Sequence, residues 1–253
     1  AQPSGGAMRL HTLLLTCARV GRLAPPCASM GSAASSRIEV ERKFAAPEGG
    51  IAAGALAAGA ELVGEARFSD EYWDTAQCDL TRTDTWLRLR RLQAEPKGQW
   101  ELKLPMGADS KRSGGERTVF TEVEGEDAVR KELIRLLPKR LGGGKGTDSL
   151  DEMLRDAGLT PFASFETVRT KLRIHGVAID ADEASFGHSV VEVEVMCDSE
   201  DQVPAAEVRI AQVASAMGLQ SLDGGSGGKL ETYIRRFCPE VFNNLVEAGI
   251  LRT

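Results

Sequence analysis

Charged and aliphatic residues alternate along several short segments of the chain, and this alternation predicts β-strands. In IEVERKF, residues 38 to 44, the charged side chains of Glu39, Glu41 and Lys43 occupy alternate positions, with Val40 between the two carboxylates. Successive side chains of a strand point to opposite faces, so these three charges share one face. Such a face is either the wet side of a sheet or an interior that holds a charged ligand.

The same alternation recurs in six further segments. They are WLRLRR (86–91), WELKL (100–104), TEVE (121–124), SFETVRTKLRI (164–174), AIDAD (178–182) and VVEVEVM (190–196). One such strand alone is typical of an antiparallel sheet with a solvated face. Like charges two residues apart repel each other unless a counter-charge lies between them, however, and here such pairs recur. The pattern therefore predicts an α+β protein in which a closed antiparallel barrel has a charged interior and helices packed on its aliphatic outer face.

Helical periodicity is found between these strands. In residues 126–137, the apolar side chains Val129, Leu133, Ile134 and Leu137 form one stripe, which ends at a proline. The complete set of predicted helices is 51–63, 126–137, 148–157, 204–217 and 239–250.

The composition of the chain excludes several classes of binding partner and site. The net charge of -6 argues against a broad nucleic-acid surface, and no apolar run approaches the ~20 residues of a membrane span. Three histidines and five cysteines without a CxxC pair argue against a zinc site or a disulfide framework. We therefore expect a cytoplasmic protein with free thiols and a small-molecule partner, without nucleic acid and without a membrane span.

Residues 1–36 differ from the rest of the chain. They contain three arginines but no Asp or Glu, which is typical of an organelle transit peptide, and the alternative is a disordered or wrongly assigned extension. Met8 and Met30 are alternative start positions, and a start at Met30 would give a myristoylation-like MGSAAS. We divide the chain into this extension and one catalytic domain over residues 37–253.

The charges on the predicted inner faces indicate what the interior binds. The acidic set is Glu39, Glu41, Glu122, Asp180, Asp182, Glu192 and Glu194, and the basic set is Lys43, Arg88, Arg90, Lys103, Arg169 and Lys171, with Arg173 and Lys229 as further candidates. Clustered carboxylates without His or Cys suit Mg²⁺ or Mn²⁺. Arginine and lysine suit phosphate oxygens. Together the two sets indicate a polyphosphate bound with a metal ion.

IEVERKF resembles the ExExK motif of the CYTH superfamily, the triphosphate tunnel metalloenzymes. Further segments similar to this family follow in the family's order: YWDT (72–75), WLRLR (86–90), WELK (100–103), SFETVR (164–169), IDAD…FG (179–187), VEVEV (191–195) and KLETYIRRF (229–237). The similarity covers about residues 37–240 and is greatest to the animal-type thiamine-triphosphatase branch.

The resemblance implies an eight-stranded antiparallel tunnel and a role for each matching residue. Metal binding is implied for Glu39, Glu41, Asp180, Glu192 and Glu194, with Mg²⁺ as cofactor and Mn²⁺ as the alternative. Substrate binding is implied for Lys43, Arg88, Arg90, Lys103, Arg169 and Lys229, and a catalytic role for Lys103, Asp180 and Glu192. Trp86 shares the face of Arg88, so we expect it to stack on the organic part of the substrate; the alternative is packing at the barrel end.

The activity implied by the resemblance is metal-dependent hydrolysis of thiamine triphosphate to thiamine diphosphate and phosphate by a monomer. Hydrolysis of tripolyphosphate or a nucleoside triphosphate, an adenylate cyclase, and a non-catalytic polyphosphate-binding module are the alternatives. The group that activates the water stays open between Glu192, Glu194, a second metal ion, and Lys103 with a lowered pKa.

Overall fold

The structure of the protein is a computed structural model that describes residues 37–106, 117–142, 149–222 and 227–252. All of these residues belong to one compact unit. The expected extension over residues 1–36 lies outside the described residues, so its assignment stays a prediction. Within the described part of the chain, no helix is long and apolar enough to cross a membrane.

Eight strands of the described chain pair in antiparallel fashion and close into a barrel. They are β1 (Arg37–Ala45), β2 (Glu61–Thr75), β3 (Trp86–Leu92), β4 (Glu95–Pro105), β5 (Arg117–Glu124), β6 (Leu159–Ile174), β7 (Val177–Ala184) and β8 (His188–Cys197). Around the barrel the order is β1-β5-β4-β3-β2-β6-β7-β8, so β1 pairs with both β5 and β8. The predicted antiparallel barrel is confirmed, as is the count of eight strands that the resemblance implied.

Seven α-helices of the described residues pack on the outside of this barrel. They are α1 (Ala52–Ala57), α2 (Glu126–Leu136), α3 (Pro138–Leu141), α4 (Leu150–Asp156), α5 (Val203–Ala216), α6 (Lys229–Phe237) and α7 (Pro239–Glu247). Short 3₁₀ turns are present at Thr81–Thr83 and Glu200–Gln202.

The hydrophobic core lies between the barrel wall and the helices. Val193 on β8 and Ile210 on α5 belong to one buried cluster, which also contains the outward residues of β1 and β7. Leu102 on β4 and Leu133 on α2 belong to a second cluster beneath α2 and α4. The apolar half of each alternating strand therefore faces the helices, which leaves the charged half for the interior.

Four of the five predicted helices are confirmed as α2, α4, α5 and α7. The start of α4 is a capping box: the Ser149 side chain accepts from the backbone N–H of Glu152, and the Glu152 side chain accepts from the Ser149 N–H. Proline occupies the first turn of α7, where its missing N–H costs nothing. Helix α6 lies in a segment that the periodicity did not mark.

The helix predicted over residues 51–63 was wrong beyond Ala57. Gly59 adopts a left-handed φ of 83°, which ends the helical turn, and from Glu61 the chain pairs with β6 as a strand. The stripe predicted on α2 was also too wide, because Ile134 is 37% exposed. Pairing with a distant strand overrode the alanine-rich composition of the first segment.

We expect Leu133→Ala to lower the free energy of unfolding by about 2 to 5 kcal/mol, because its fully buried side chain would leave a cavity between α2 and the barrel. The matched control is Ile134→Ala, which removes a side chain of the same size from a partly exposed position. Urea denaturation measures both variants, and equal losses of stability would contradict this assignment of the core.

Candidate active site

The inward side chains of the barrel line one cavity. Its lining contains these predicted site residues: Glu39, Glu41, Lys43, Trp86, Arg88, Arg90, Lys103, Arg169, Glu192, Glu194 and Lys229. Asp180 is buried but is not part of this lining, and its carboxylate accepts a hydrogen bond from Arg169. The alternation of charged and aliphatic residues therefore predicted side chains that the fold brings together in one cavity.

Three carboxylates form a cluster at the pairing of β1 with β8. Glu41 lies opposite Glu194 in the strand register, and one oxygen from each of Glu39, Glu41 and Glu194 lies within 4.8 Å of the others. Burial, with the nearby charges of Glu39 and Asp180, raises the pKa of Glu194 to about 7. A set of carboxylate oxygens without His or Cys fits a hard divalent cation.

Asp180 and Glu192, also predicted to bind metal, lie instead in a network of ion pairs. Arg169 donates two hydrogen bonds of 2.7 Å to Asp182 and one of 2.9 Å to Glu192, and it also binds Asp180. Lys229 donates to Glu192 at 2.8 Å and also binds Asp182. The predicted metal ligands thus divide into the cluster of Glu39, Glu41 and Glu194 and a second group, Asp180 and Glu192, that shares Arg169.

Two basic residues of the predicted inner set do not enter the cavity. Lys171 and Arg173 follow Arg169 on the same face of β6, but both are exposed. Lys171 lies opposite the buried Asp180 in the pairing of β6 with β7. Burial raises the pKa of Asp180, and the charge of Lys171 opposes this rise. The prediction that Lys171 and Arg173 share the inward face stays a prediction, but neither residue lines the cavity.

Lys103 is a cation in this structure. Its ammonium group binds Glu39 and lies 3.9 Å from a carboxylate oxygen of Glu122. Burial alone would lower the pKa of Lys103, but Glu39 and Glu122 outweigh burial and raise it. A base requires the opposite shift, so the structure does not favour Lys103 as the group that activates water.

Arg88 and Arg90 are held by two carboxylates, Asp70 and Glu101, that are not in the predicted acidic set; of the two, only Glu101 lies in a segment whose alternation was recognised. Arg90 donates two hydrogen bonds of 2.7 Å to Asp70 and lies over the ring of Phe68, and Arg88 binds Glu101. Burial would raise the pKa of the fully buried Asp70, but the adjacent Arg90 lowers it. The sequence did contain a signal for these two carboxylates. Two arginines that point into a barrel need carboxylates on neighbouring strands to balance their charge, and Asp70 and Glu101 were available.

The start of α6 enters the cavity beside Lys43. The ammonium group of Lys43 binds Glu41, which also accepts a 3.1 Å hydrogen bond from Thr118. Gly228, just before α6, lies so close that a Cβ atom there would be 2.6 Å from Cε of Lys43. This close approach brings Lys229, the first residue of α6, to the same cavity as Lys43.

Trp86 lines the apolar side of the cavity and is itself 6% exposed. Its indole N–H donates a 2.8 Å hydrogen bond to Asp84, which fixes the ring plane. The ring packs in one cluster with Phe120 and Ile234. Trp86 therefore both faces the cavity, as predicted, and packs at the barrel end, as in the alternative interpretation.

A closed barrel lined by a carboxylate cluster and by many guanidinium and ammonium groups defines a triphosphate tunnel protein. The family model described as CYTH domain matches residues 37–225. The chain belongs to the CYTH family.

Two curated relatives share most of the chain. The protein is 33% identical over 228 residues to a thiamine-triphosphatase from Homo sapiens, which covers 87% of this chain and 94% of the relative. It is 32% identical over 225 residues to a thiamine-triphosphatase from Macaca fascicularis, covering 85% of this chain and 92% of the relative. The solved structure of the PH1819 protein from Pyrococcus horikoshii OT3 has the same fold, with a TM-score of 0.55 at 22% identity, over 78% of this chain and 99% of that one.

We expect Asp70→Asn to lower the free energy of unfolding at pH 7 by about 3 kcal/mol, because it leaves the buried Arg90 without its counter-charge. Since the folded-state pKa of Asp70 is lowered, its contribution is present above the unfolded-state pKa of about 4 and is lost as the pH falls through the folded-state pKa. Urea denaturation at pH 7 and in acid should show a difference between wild type and variant that shrinks in acid.

Glu71→Gln is the matched control, because it breaks the more exposed ion pair of the adjacent residue with Arg91. A partly exposed pair contributes at most about 1 kcal/mol. If the two variants lost the same stability at pH 7, Asp70 would not be the main support of Arg90.

Proposed function

We propose that the protein hydrolyses thiamine triphosphate to thiamine diphosphate and phosphate. The observation that carries this proposal is that a carboxylate cluster and side chains suited to bind phosphate lie in contact within one cavity. The main contact is between Lys103 and Glu39. The names of the two curated relatives support thiamine triphosphate as the substrate. In this proposal residues 37–253 form the catalytic domain, and a cytoplasmic location and a monomeric state stay predictions.

Mg²⁺ is the proposed cofactor, with Mn²⁺ as the alternative. Glu39, Glu41 and Glu194 would hold it, since their oxygens lie within reach of one another. Such an ion, when bound, polarises phosphate oxygens and neutralises their charge. Asp180 and Glu192 both bind Arg169 in the structure, each through one carboxylate oxygen, and would join the metal site with lone pairs that Arg169 does not use.

The cations of the cavity are proposed to bind the triphosphate. This set is Lys43, Arg88, Arg90, Lys103, Arg169 and Lys229. An arginine can donate hydrogen bonds to two phosphate oxygens at once. Asp70 holds Arg90 in a fixed orientation for this contact. Lys103, which pairs with Glu39 in the structure, would exchange that carboxylate for phosphate oxygens and is suited to neutralise the leaving diphosphate.

Glu192 is proposed to orient the attacking water. Burial would raise the pKa of Glu192, but Lys229, Lys43 and Arg169 together hold it well below its usual value. The carboxylate is therefore ionised at neutral pH and can accept a hydrogen bond from water in the cavity that it lines. Asp180 contributes by holding Arg169.

Ligand binding in this site is an exchange of partners. Glu39 and Glu41 bind Lys103 and Lys43 in the structure, so a cation that takes the carboxylates leaves both lysines available for phosphate. Because coupling between two binding sites is reciprocal, triphosphate that takes the lysines also favours the cation. We therefore expect tripolyphosphate to bind more weakly without divalent cation.

A substrate panel tests the proposed activity. Purified protein with Mg²⁺ should have a higher kcat/KM on thiamine triphosphate than on tripolyphosphate or ATP, and chelation by EDTA should abolish hydrolysis. Phosphate release measures all three substrates. Equal or faster turnover of tripolyphosphate would contradict the thiamine preference, while unchanged rates in EDTA would contradict the metal dependence.

Substitution of the cavity carboxylates separates catalysis from binding. We expect Glu39→Gln and Glu192→Gln each to lower kcat/KM about a hundredfold or more, because Glu39→Gln removes the charge of a proposed metal ligand and Glu192→Gln removes the charge of the carboxylate that is proposed to orient the water. Glu39→Gln should also raise the Mg²⁺ concentration that gives half-maximal rate. Steady-state kinetics at several Mg²⁺ concentrations measures both effects.

Glu183→Gln is the matched control, since Glu183 is exposed on β7, and it should keep full activity. Calorimetry with tripolyphosphate then gives binding independently of turnover. A wild-type protein that binds tripolyphosphate without hydrolysing any substrate, and variants that bind it equally well, would favour the non-catalytic binding module instead.

A further inference from the structure

The cavity is chemically divided, with charge on most of its wall and apolar side chains on one part. The apolar part is lined by Trp86, Phe120, Ile234 and Leu251. These four side chains belong to a single buried cluster, in which each is at most 6% exposed. Ile234 and Leu251 come from outside the barrel, on α6 and on the segment after α7, so this wall depends on a part of the chain that contributes no strand.

The segment that carries Leu251 is folded back on α7 by a specific turn. Gly249 adopts a left-handed φ of 72°, which a residue with a side chain rarely adopts. The backbone N–H groups of Ile250 and Leu251 then both donate to the carbonyl of Leu245, at 2.8 and 3.2 Å. The turn reverses the chain and points Leu251 at the cavity.

Arg235 on α6 fixes this turn from the other side. Its guanidinium group donates a 2.7 Å hydrogen bond to the carbonyl of Arg252 and a 3.0 Å hydrogen bond to Glu231, and it lies 4.9 Å from the ring centroid of Phe242. Glu231 itself lines the cavity. The segment 249–252 is therefore attached both to α7 and to the helix that brings Lys229 to the site.

We infer that Leu251, carried by the segment 249–252, is a specificity-determining residue that forms the wall against which the organic group of the substrate packs. A phosphate chain alone is bound by the charged wall and makes no use of an apolar one. An aromatic group attached to the triphosphate buries more apolar surface when a wall closes the cavity beside Trp86. Leu251 thus selects triphosphates with an organic group over inorganic tripolyphosphate.

This inference rests on the proposed function for the identity of that organic group, which is thiamine. The inference about Leu251 concerns the ratio of two rates within one variant, whereas the proposed function concerns the preference of the wild type. A wild type that prefers ATP to thiamine triphosphate would contradict the proposed function alone, and Leu251 would then be tested with ATP as the organic triphosphate.

The test compares Leu251→Ala with wild type on thiamine triphosphate and on tripolyphosphate. We expect kcat/KM for thiamine triphosphate to fall about tenfold, mainly through KM, since a shortened side chain in an apolar pocket costs affinity of this order. The rate on tripolyphosphate should stay within about twofold of wild type. Leu251→Met, which restores the volume, should recover most of the loss.

Ile250→Ala is the matched control, because Ile250 is in the same turn and packs in the same cluster but does not line the cavity. It should leave the ratio of the two rates unchanged. Equal losses on both substrates in Leu251→Ala would show that Leu251 only supports the fold, and unchanged rates on both would show that it makes no contact with substrate. Either result overturns the inference.

Discussion

The structure depends on the mutual neutralisation of the charges that point into its barrel. A buried carboxylate or guanidinium group without a partner costs several kcal/mol, and many inward positions here carry such a group. Some pairs join neighbouring strands, as Asp70 on β2 binds Arg90 on β3, and Arg169 on β6 binds Asp182 on β7. Others reach across the interior, as Lys103 on β4 binds Glu39 on β1. The same contacts therefore satisfy the charges, fix the strand register and prepare a surface for a ligand with both a cation and phosphates.

This neutralisation explains why the hydrophobic core is displaced outward. With the inner face committed to charge, apolar burial is left to the outer face, and the helices α2, α4 and α5 supply the second layer that a two-sided sheet requires. Under the proposed function, the cavity needs an apolar part only where the organic group of the substrate would bind. That part comes from Trp86 at the start of β3 and from side chains outside the strands, such as Leu251.

The sequence predicts this fold well where two residues of like charge flank an aliphatic one. Glu39 and Glu41, or Arg88 and Arg90, show the alternation because the outer face is aliphatic and the inner face is charged. Strand β2 lacks this signal, since Phe68, Asp70 and Tyr72 are all buried and its other face carries few aliphatic side chains. Asp70 was missed for that reason, and the position of Leu251 depends on a turn whose target lies far away in sequence. The division of the carboxylates into a cluster and an ion-pair network is likewise a matter of three-dimensional distance.

The barrel is closed by the pairing of its first strand with its last, and this seam has a kinetic consequence. Glu41 and Glu194 face each other across it, with every other strand between them in the sequence. Contacts between such distant segments have a high loop-closure entropy and form slowly. The carboxylate cluster is therefore assembled in the step that joins β8 to β1, and a chain folded only as far as β7 would have its arginines but would lack Glu194 beside Glu41. Under the proposed metal site, divalent cation binding would report that β8 has joined β1, because the cluster depends on that one pairing.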